Sequence, residues 1–273
     1  MKKTMKLAAV CMLAGGVAGG VLAAEKIVVD GSTTVGPIAK AFAEFYMKAH
    51  PDVNITVSES GSGNAVKSLM NGACQVGTMS RAMKADEMDA AKAKGRNPVQ
   101  HTIAMDGLTA IVHPSNPVQK LSKEDLKAIY MGEIANWKKL GGPDAKIVVI
   151  GRDTNSGTYE SFQTLVMKSE RVTEKAEVLG SNGAIRQRVL STPAAIGYVG
   201  LAFTEGVKPL PINDVAPTPE TVADKTYPIA RALYMYTDGE PKEGTPLCDY
   251  VMMFKTDDGR KIIAEQGFVP LAK

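Results

Sequence analysis

The chain has 273 residues, of which 44% are hydrophobic and 22% are charged. This length and composition are typical of a globular protein with one large or two small domains, and they exclude a low-complexity or disordered chain. Three of the 32 basic residues are lysines within the first six positions, and removing them leaves 29 basic residues against 29 acidic ones. This balance argues against nucleic acid or an anionic membrane surface as a partner.

The first 24 residues have the pattern of a secretory signal peptide. A basic start is followed by an uncharged stretch over residues 7–21, rich in Ala, Gly, Leu and Val, and then by the small residues Ala23 and Ala24. The apolar stretch is too short and too rich in glycine for a good membrane span, and no later stretch approaches about 18 apolar residues. We therefore expect residues 1–24 to be removed and the mature chain to be exported, with an uncleaved anchor as the alternative.

Short apolar runs alternate with helical patterns along the rest of the chain. Predicted strands cover residues 26–30, 53–57, 74–79, 101–104, 108–113, 147–150, 196–199 and 229–236. Predicted helices cover residues 35–50, 64–70, 82–94, 157–167, 182–190, 248–254 and 257–266, and a further helix begins after Ser122. Asp106 and Gly107 are expected to separate the strand over residues 101–104 from the strand over residues 108–113. This alternation predicts an α/β fold with largely parallel sheets.

Three strand-to-helix loops are rich in glycine and hydroxyl residues, and they cover residues 30–34, 60–64 and 153–158. In open α/β sheets, ligands bind beyond the carboxyl ends of the strands, where helix N-termini offer unpaired N–H groups and partial positive charge. Several such loops meeting at one point would bind an anion. Taken singly, each Ser or Thr has a simpler interpretation as a helix N-cap.

Two arginines stand at the ends of predicted strands. Arg152 follows the apolar run 147–150, and its planar, permanently charged guanidinium can bind an oxyanion with two hydrogen bonds. The alternative is a surface salt bridge with Asp153. Arg81 follows Ser80 and has two possible roles, contact with the anion or pairing with a neighbouring acid.

Asp106 is an unexpected residue near an anion site, because its carboxylate would repel the ligand. Phosphate carries a proton at neutral pH whereas sulfate does not, so an ionised Asp106 could accept the P–O–H proton and favour phosphate. The alternative interpretation is an Asp-Gly turn formed with Gly107.

The sequence has no recognisable catalytic signature. His50, His101 and His113 are scattered, and there is no Walker A, G-x-S-x-G, H-E-x-x-H or C-x-x-C pattern. We therefore predict a binding protein that is not an enzyme and that needs neither cofactor nor metal. The mature chain keeps Cys74 and Cys248, which either form a disulfide in an oxidising compartment or stay as buried thiols.

Seven segments taken together resemble the PstS family, the phosphate-binding proteins of ABC transporters. They are residues 30–37, 60–63, 77–81, 106–108, 132–137, 152–158 and 267–271, and the resemblance extends from about Lys26 to the C-terminus. It implies a type II periplasmic-binding-protein fold, in which two α/β lobes close on a ligand cleft about a hinge. The expected lobes are residues 25–108 plus 232–273 and residues 109–231.

The resemblance also implies a function. The chain would bind inorganic phosphate in the periplasm and deliver it, as a monomer, to the membrane permease of an ABC transporter. The ligand residues of the family match Ser32, Thr33, Thr34, Ser62, Ser80, Arg152, Ser156, Gly157 and Thr158. The alternatives are the same fold with sulfate, molybdate or tungstate as ligand, a phosphate sensor, and a secreted hydrolase of phosphate esters.

One position departs from the family pattern. Some members have Ser-Asp where this chain has Ser80 and Arg81, and that aspartate accepts the proton of the ligand. Arginine cannot accept a proton, so we expect Asp106 to take over this role. The predicted site therefore includes Arg81 and Asp106, and direct contact of either with the ligand is left open.

Overall fold

The strands and helices of the computed structural model lie within residues 25–272, which are the residues that the structure describes. The strands are β1 Glu25–Gly31, β2 Val53–Ser58, β3 Val76–Met79, β4 Pro98–Val112, β5 Val148–Arg152, β6 Glu177–Leu179, β7 Ala195–Gly200, β8 Lys208–Pro209, β9 Ala230–Asp238 and β10 Val269–Pro270. The predicted signal peptide, residues 1–24, lies outside the described residues.

The helices follow the strands in the expected alternation. They are α1 Gly36–Ala49, α2 Ser62–Met70, α3 Ala85–Ala93, α4 Lys123–Met131, α5 Gly157–Phe162, α6 Asn182–Leu190, α7 Pro219–Ala223, α8 Pro246–Met252 and α9 Asp257–Glu265. The predicted helix over residues 157–167 changes at Phe162 from α to a wider π turn. Within residues 25–272, no helix has both the length and the apolar character that a bilayer crossing requires.

The strands are arranged in the order β2-β1-β3-β9-β4-β7-β5-β6, and β8 and β10 pair with β4. Strand β1 is parallel to β2 and β3, and β5 is parallel to β6 and β7. The long strands β4 and β9 are antiparallel to each other and to their other neighbours β3 and β7. The prediction of largely parallel sheets is therefore correct for the two outer groups and wrong for the middle.

The predicted break at Asp106 and Gly107 is wrong. Strand β4 continues through both residues, which pair in register with Arg231 and Ala230 of β9. The Asp-Gly signal for a turn is local, whereas the Asp106 carboxylate here forms an ion pair with Arg231, its register partner. This tertiary contact keeps the segment extended and excludes the alternative interpretation of Asp106 as a turn residue.

The core consists of apolar clusters on two sides of the molecule, each built on a different half of the long strands β4 and β9. One large cluster draws its residues from positions 27–104 and 233–268, and a second draws from positions 108–229 together with Val269. Fully buried aromatic side chains fill the second cluster, where Phe162 stacks on Tyr198 with ring centroids 4.1 Å apart. Each side therefore has its own core, which is what keeps the loops at the strand ends in fixed positions.

Cys74 and Cys248 are buried free thiols. Burial raises the pKa of Cys74 to about 12. Of the two alternatives considered from the sequence, a disulfide or two buried thiols, the structure contains the two thiols.

Candidate functional site

Ten of the predicted site residues lie at the carboxyl ends of β1, β3 and β5 or at the starts of the helices α2 and α5, and the eleventh, Asp106, lies within β4. All eleven are buried. Buried polar side chains need hydrogen-bond partners, so the contacts among these loops decide what the site can bind.

The loops of the two outer strand groups contact each other directly. The hydroxyls of Thr34 and Thr158 are 2.9 Å apart, and the Ser161 hydroxyl donates to the carbonyl of Ser80 at 3.1 Å. The N–H of Gly63 donates to the carbonyl of Asn155 at 2.9 Å. Residues more than 80 positions apart in sequence therefore form one polar cluster, as the three glycine and hydroxyl loops predicted.

Ser32 and Ser156 can only donate to a further group. Ser32 Oγ accepts the N–H groups of Thr34 and Val35 at 3.1 and 3.3 Å. Ser156 Oγ caps α5 by accepting the N–H groups of Thr158 and Tyr159, both at 3.2 Å. A hydroxyl has two lone pairs and one proton, and both lone pairs are used in each serine. The protons of both hydroxyls thus remain for a bound acceptor such as an oxyanion.

Ser62 does not act as the N-cap that its position suggests. Gly61 holds the cap position of α2 without a side-chain hydrogen bond. The Ser62 hydroxyl instead accepts the N–H of Ser80 at 3.1 Å and lies 3.4 Å from the Ser80 hydroxyl. The interpretation as a helix N-cap therefore holds for Ser156 and fails for Ser62. The Ser62 side chain instead links two loops of the candidate site.

Gly157 has no room for a side chain. A Cβ built on it would lie 2.7 Å from Ser80 Oγ and 2.9 Å from Ser62 Cβ, and closer still to Ser62 Oγ. Glycine is therefore the residue that lets the start of α5 approach the start of α2 and the loop after β3 this closely.

Arg152 is the last residue of β5, and 3% of it is exposed. Its Nε and Nη2 donate to the carbonyls of Leu179 and Gly180 at 3.2 and 2.9 Å, whereas its Nη1 is buried without a hydrogen-bond partner among residues 25–272. Burial lowers the pKa of Arg152 to about 10, which leaves the group charged at neutral pH. The guanidinium bonds to backbone carbonyls, while the Asp153 carboxylate accepts the N–H of Asn155.

Arg81 is bonded to acids. Its Nη1 and Nη2 each lie 2.7 Å from the Glu87 carboxylate. Its Nε lies 2.8 Å from Glu160 Oε2 as an ion pair without hydrogen-bond alignment, and Lys84 pairs with the same oxygen at 2.7 Å. The acid-pairing role considered for Arg81 is thus the one that the structure contains.

Asp106 is completely buried and bonded to Arg231, a residue that the sequence did not bring to notice. Arg231 Nε and Nη2 donate to Asp106 Oδ2 at 3.0 and 2.9 Å, and the N–H of Leu201 donates to Oδ1 at 2.9 Å. Complete burial raises the pKa of Asp106, while the Arg231 charge and the Leu201 amide oppose the rise. The available signal was an arginine in the middle of the apolar run 229–233.

Asn182 is a second residue that sequence reasoning missed. It is fully buried at the start of α6, and its Nδ2 donates to the hydroxyls of Thr33 and Thr34 at 3.2 and 3.0 Å. Its Oδ1 accepts the N–H of Gly200 at 3.2 Å. Residues 179–183 form a fourth loop of the same kind, in which a strand end is followed by glycine and serine and then by a helix start. The sequence therefore contained the pattern that points to Asn182.

Comparison with known proteins identifies the class. The PBP superfamily domain matches residues 16–257. A protein from Clostridium perfringens, assigned as a phosphate ABC transporter substrate-binding protein and solved with phosphate bound, has a TM-score of 0.84 and 33% identity, over 91% of this chain and all of the other. The chain therefore has the predicted type II periplasmic-binding-protein fold.

Curated relatives narrow the class further. The phosphate-binding protein PstS of Bacillus subtilis is 33% identical over 253 residues, which are 91% of this chain and 82% of the relative. PstS of Borreliella burgdorferi is also 33% identical, over 260 residues and 90% of each chain. The chain belongs to the PstS family, and the resemblance found in the sequence is confirmed.

Proposed function

We propose that this protein binds inorganic phosphate in the periplasm and delivers it to the permease of an ABC transporter. The observation that carries the proposal is Arg152, a buried, charged guanidinium whose Nη1 lacks a partner among the described residues. Donor-only hydroxyls in the neighbouring loops complete a cage of positive charge and hydrogen-bond donors. The PstS names of the curated relatives and the phosphate bound in the Clostridium perfringens protein support the same ligand.

The proposed ligand residues are those that the sequence indicated. They are Ser32, Thr33, Thr34, Ser62, Ser80, Arg152, Ser156, Gly157 and Thr158, with Arg81 and Asp106 next to them. Asp106 Oδ1 accepts the N–H of Leu201, and we assign the other lone pair of this oxygen to the proton of the ligand. Arg81 would lie beside the ligand, where its ion pairs with Glu87 and Glu160 hold it in place.

The proposed mechanism is closure of two lobes, residues 25–108 plus 232–273 and residues 109–231. The separate apolar clusters and the antiparallel β4 and β9, which join the two sides, support this division. Ligand would bring the loops of both lobes together, because each lobe supplies hydroxyls to it. A monomer that exposes the rim of both lobes suits docking on a permease, and a binding protein of this kind is not an enzyme.

Calorimetric titration of ligand-stripped mature protein tests the proposal, with phosphate, sulfate and molybdate as ligands. We expect micromolar or tighter binding of phosphate and at least about a hundredfold weaker binding of sulfate, because only phosphate can donate a proton to Asp106. Tight sulfate or molybdate binding without phosphate binding would overturn the ligand. In Asp106→Asn, an unchanged phosphate-to-sulfate ratio would remove Asp106 as the proton acceptor.

A further inference from the structure

Arg231 is a buried cation whose bonding is incomplete. Only 7% of the residue is exposed, and Nη1 is buried without a hydrogen-bond partner among residues 25–272. Its other two nitrogens are used, since both donate to Asp106 Oδ2 and Nη2 also lies 3.1 Å from Thr158 Oγ1. A guanidinium nitrogen taken out of water in this way needs an acceptor.

The surroundings of Arg231 are those of the anion site. Its Nη2 is 3.5 Å from Thr34 Oγ1, and Thr34 and Thr158 belong to the two loops that meet at the proposed ligand. The charge of Arg231 also lowers the pKa of Arg152, so the two guanidinium groups lie within electrostatic reach of each other. Two arginines that repel each other, each with one free buried N–H₂ group, are stabilised when a dianion binds between them.

Asp106 fixes the orientation of Arg231. Both Nε and Nη2 bond to the same carboxylate oxygen, which holds the planar group in one orientation and leaves Nη1 on its unbonded side. The space for this carboxylate depends on Gly200, because a Cβ there would lie 3.1 and 3.2 Å from the two Asp106 oxygens. The pair thus places a preformed donor without adding a full uncompensated charge.

We propose that Arg231 is a second arginine that contacts the bound phosphate, positioned by Asp106. This inference rests on the proposed phosphate-binding function and adds a specificity-determining residue to it. Two arginines provide two fixed positive groups for the two charges of HPO₄²⁻.

The decisive comparison keeps the buried charges balanced. Arg231→Met alone would leave Asp106 buried and unpaired, so the variants are Asp106→Asn and the double variant with Asp106→Asn and Arg231→Met. Phosphate titration of both ligand-stripped proteins should give at least about tenfold weaker binding in the double variant, the loss of one charge-assisted hydrogen bond. Arg231→Lys should lie between wild type and the double variant, because lysine keeps the charge without the fork of donors.

Arg188→Met is the matched control, because Arg188 pairs with Glu177 and lies outside the proposed site. Its phosphate affinity should stay within about twofold of wild type, with thermal unfolding measured to verify folding.

Two negative outcomes have different meanings. Arg231 also borders a surface hollow with Lys84 and Tyr234, where water could satisfy Nη1. In that case the double variant would bind phosphate as tightly as Asp106→Asn, and the Arg231 role would be overturned while the phosphate function stands. A wild-type protein that does not bind phosphate would overturn both.

Discussion

Two groups of charged residues near the site differ in whether their arginines are free to bind an anion. Arg81 belongs to a rim cluster, defined here as Arg81, Lys84, Glu87 and Glu160, in which two basic and two acidic groups balance. Arg152 and Arg231 form an inner pair, in which Arg231 is bonded to the Asp106 carboxylate and Arg152 to the backbone carbonyls of Leu179 and Gly180. Among residues 25–272, each arginine of the inner pair therefore keeps one buried N–H₂ group without a hydrogen-bond partner, whereas both N–H₂ groups of Arg81 are bonded to Glu87. The acids bonded to an arginine, more than its place at a strand end, therefore decide whether it can bind an anion.

The largest expected effect is that of Arg152→Met on the inner pair. Charge-assisted hydrogen bonds contribute about 1.5–3 kcal/mol each, so phosphate affinity should fall about 10- to 100-fold in calorimetric titration. Arg152→Lys should lose less, because its charge remains.

Arg96→Met serves as the control for Arg152→Met, because Arg96 pairs with Asp238 at the surface and has no role in the site. We expect its phosphate affinity to stay within about twofold of wild type. Equal affinities in Arg152→Met and Arg96→Met would mean that the inner pair does not bind the anion, and the contrast with the rim cluster would lose its functional content.

Gly157→Ala comes next, because it acts on the approach of the loops and leaves every charge in place. The added methyl group would collide with Ser62 and Ser80, so the loops would have to separate by several tenths of an ångström. We expect about tenfold weaker phosphate binding. Gly183→Ala is the control, since its Cβ would meet only Ser181 Oγ at 3.9 Å. Wild-type affinity in Gly157→Ala would show that the loop contact is not needed for binding.

Much of the fold could be predicted because its longer elements have clear local signals. The apolar run before Asp153 gave β5, and Ser122 gave the start of α4, where its hydroxyl accepts the N–H of Asp125. The missed elements β6, β8, α7 and β10 have only two to five residues each, too few to develop a periodic pattern.

The site could be predicted only as far as it is built from local loops. Ser32, Ser62 and Ser156 stand in glycine and hydroxyl segments that the sequence shows directly. Arg231 joins Asp106 across 125 positions through the pairing of β4 with β9, and Asn182 reaches Thr34 across 148 positions. Such partners follow from strand order, which a single sequence does not contain.

Arg81→Met tests the rim cluster, and here we expect stability to change more than affinity. The variant leaves Glu87 and Glu160 without their buried partner, which should lower the free energy of unfolding by about 1–3 kcal/mol in urea titrations of ligand-free protein. Phosphate affinity should change by less than about threefold, because the lost ion pairs lie beside the ligand. A tenfold loss of affinity with unchanged stability would instead make Arg81 a ligand residue and remove the difference between the two groups.

The smallest expected effect separates the pH dependence of folding from that of binding. His101 lies on β4, five positions before Asp106, and its Nε2 is 2.8 Å from Thr237 Oγ1. Burial lowers the pKa of His101 below its ordinary value of about 6.5, so the folded state favours the neutral ring. As the pH falls below about 6.5, the unfolded chain takes up this proton first, and stability is lost until the folded pKa is reached.

His101→Gln removes this titration and retains a group that can bond to Thr237. Between pH 7.5 and 5.5, ligand-free wild type should lose more unfolding free energy than the variant, by at most about 1.4 kcal/mol, as measured by urea denaturation. Parallel losses in both proteins would assign the acid sensitivity to other groups. If the result is as expected, any change in the phosphate affinity of His101→Gln over the same pH range reports on the protonation of the ligand and of Asp106. The pH dependence of phosphate binding at the inner pair can then be measured separately from the pH dependence of folding.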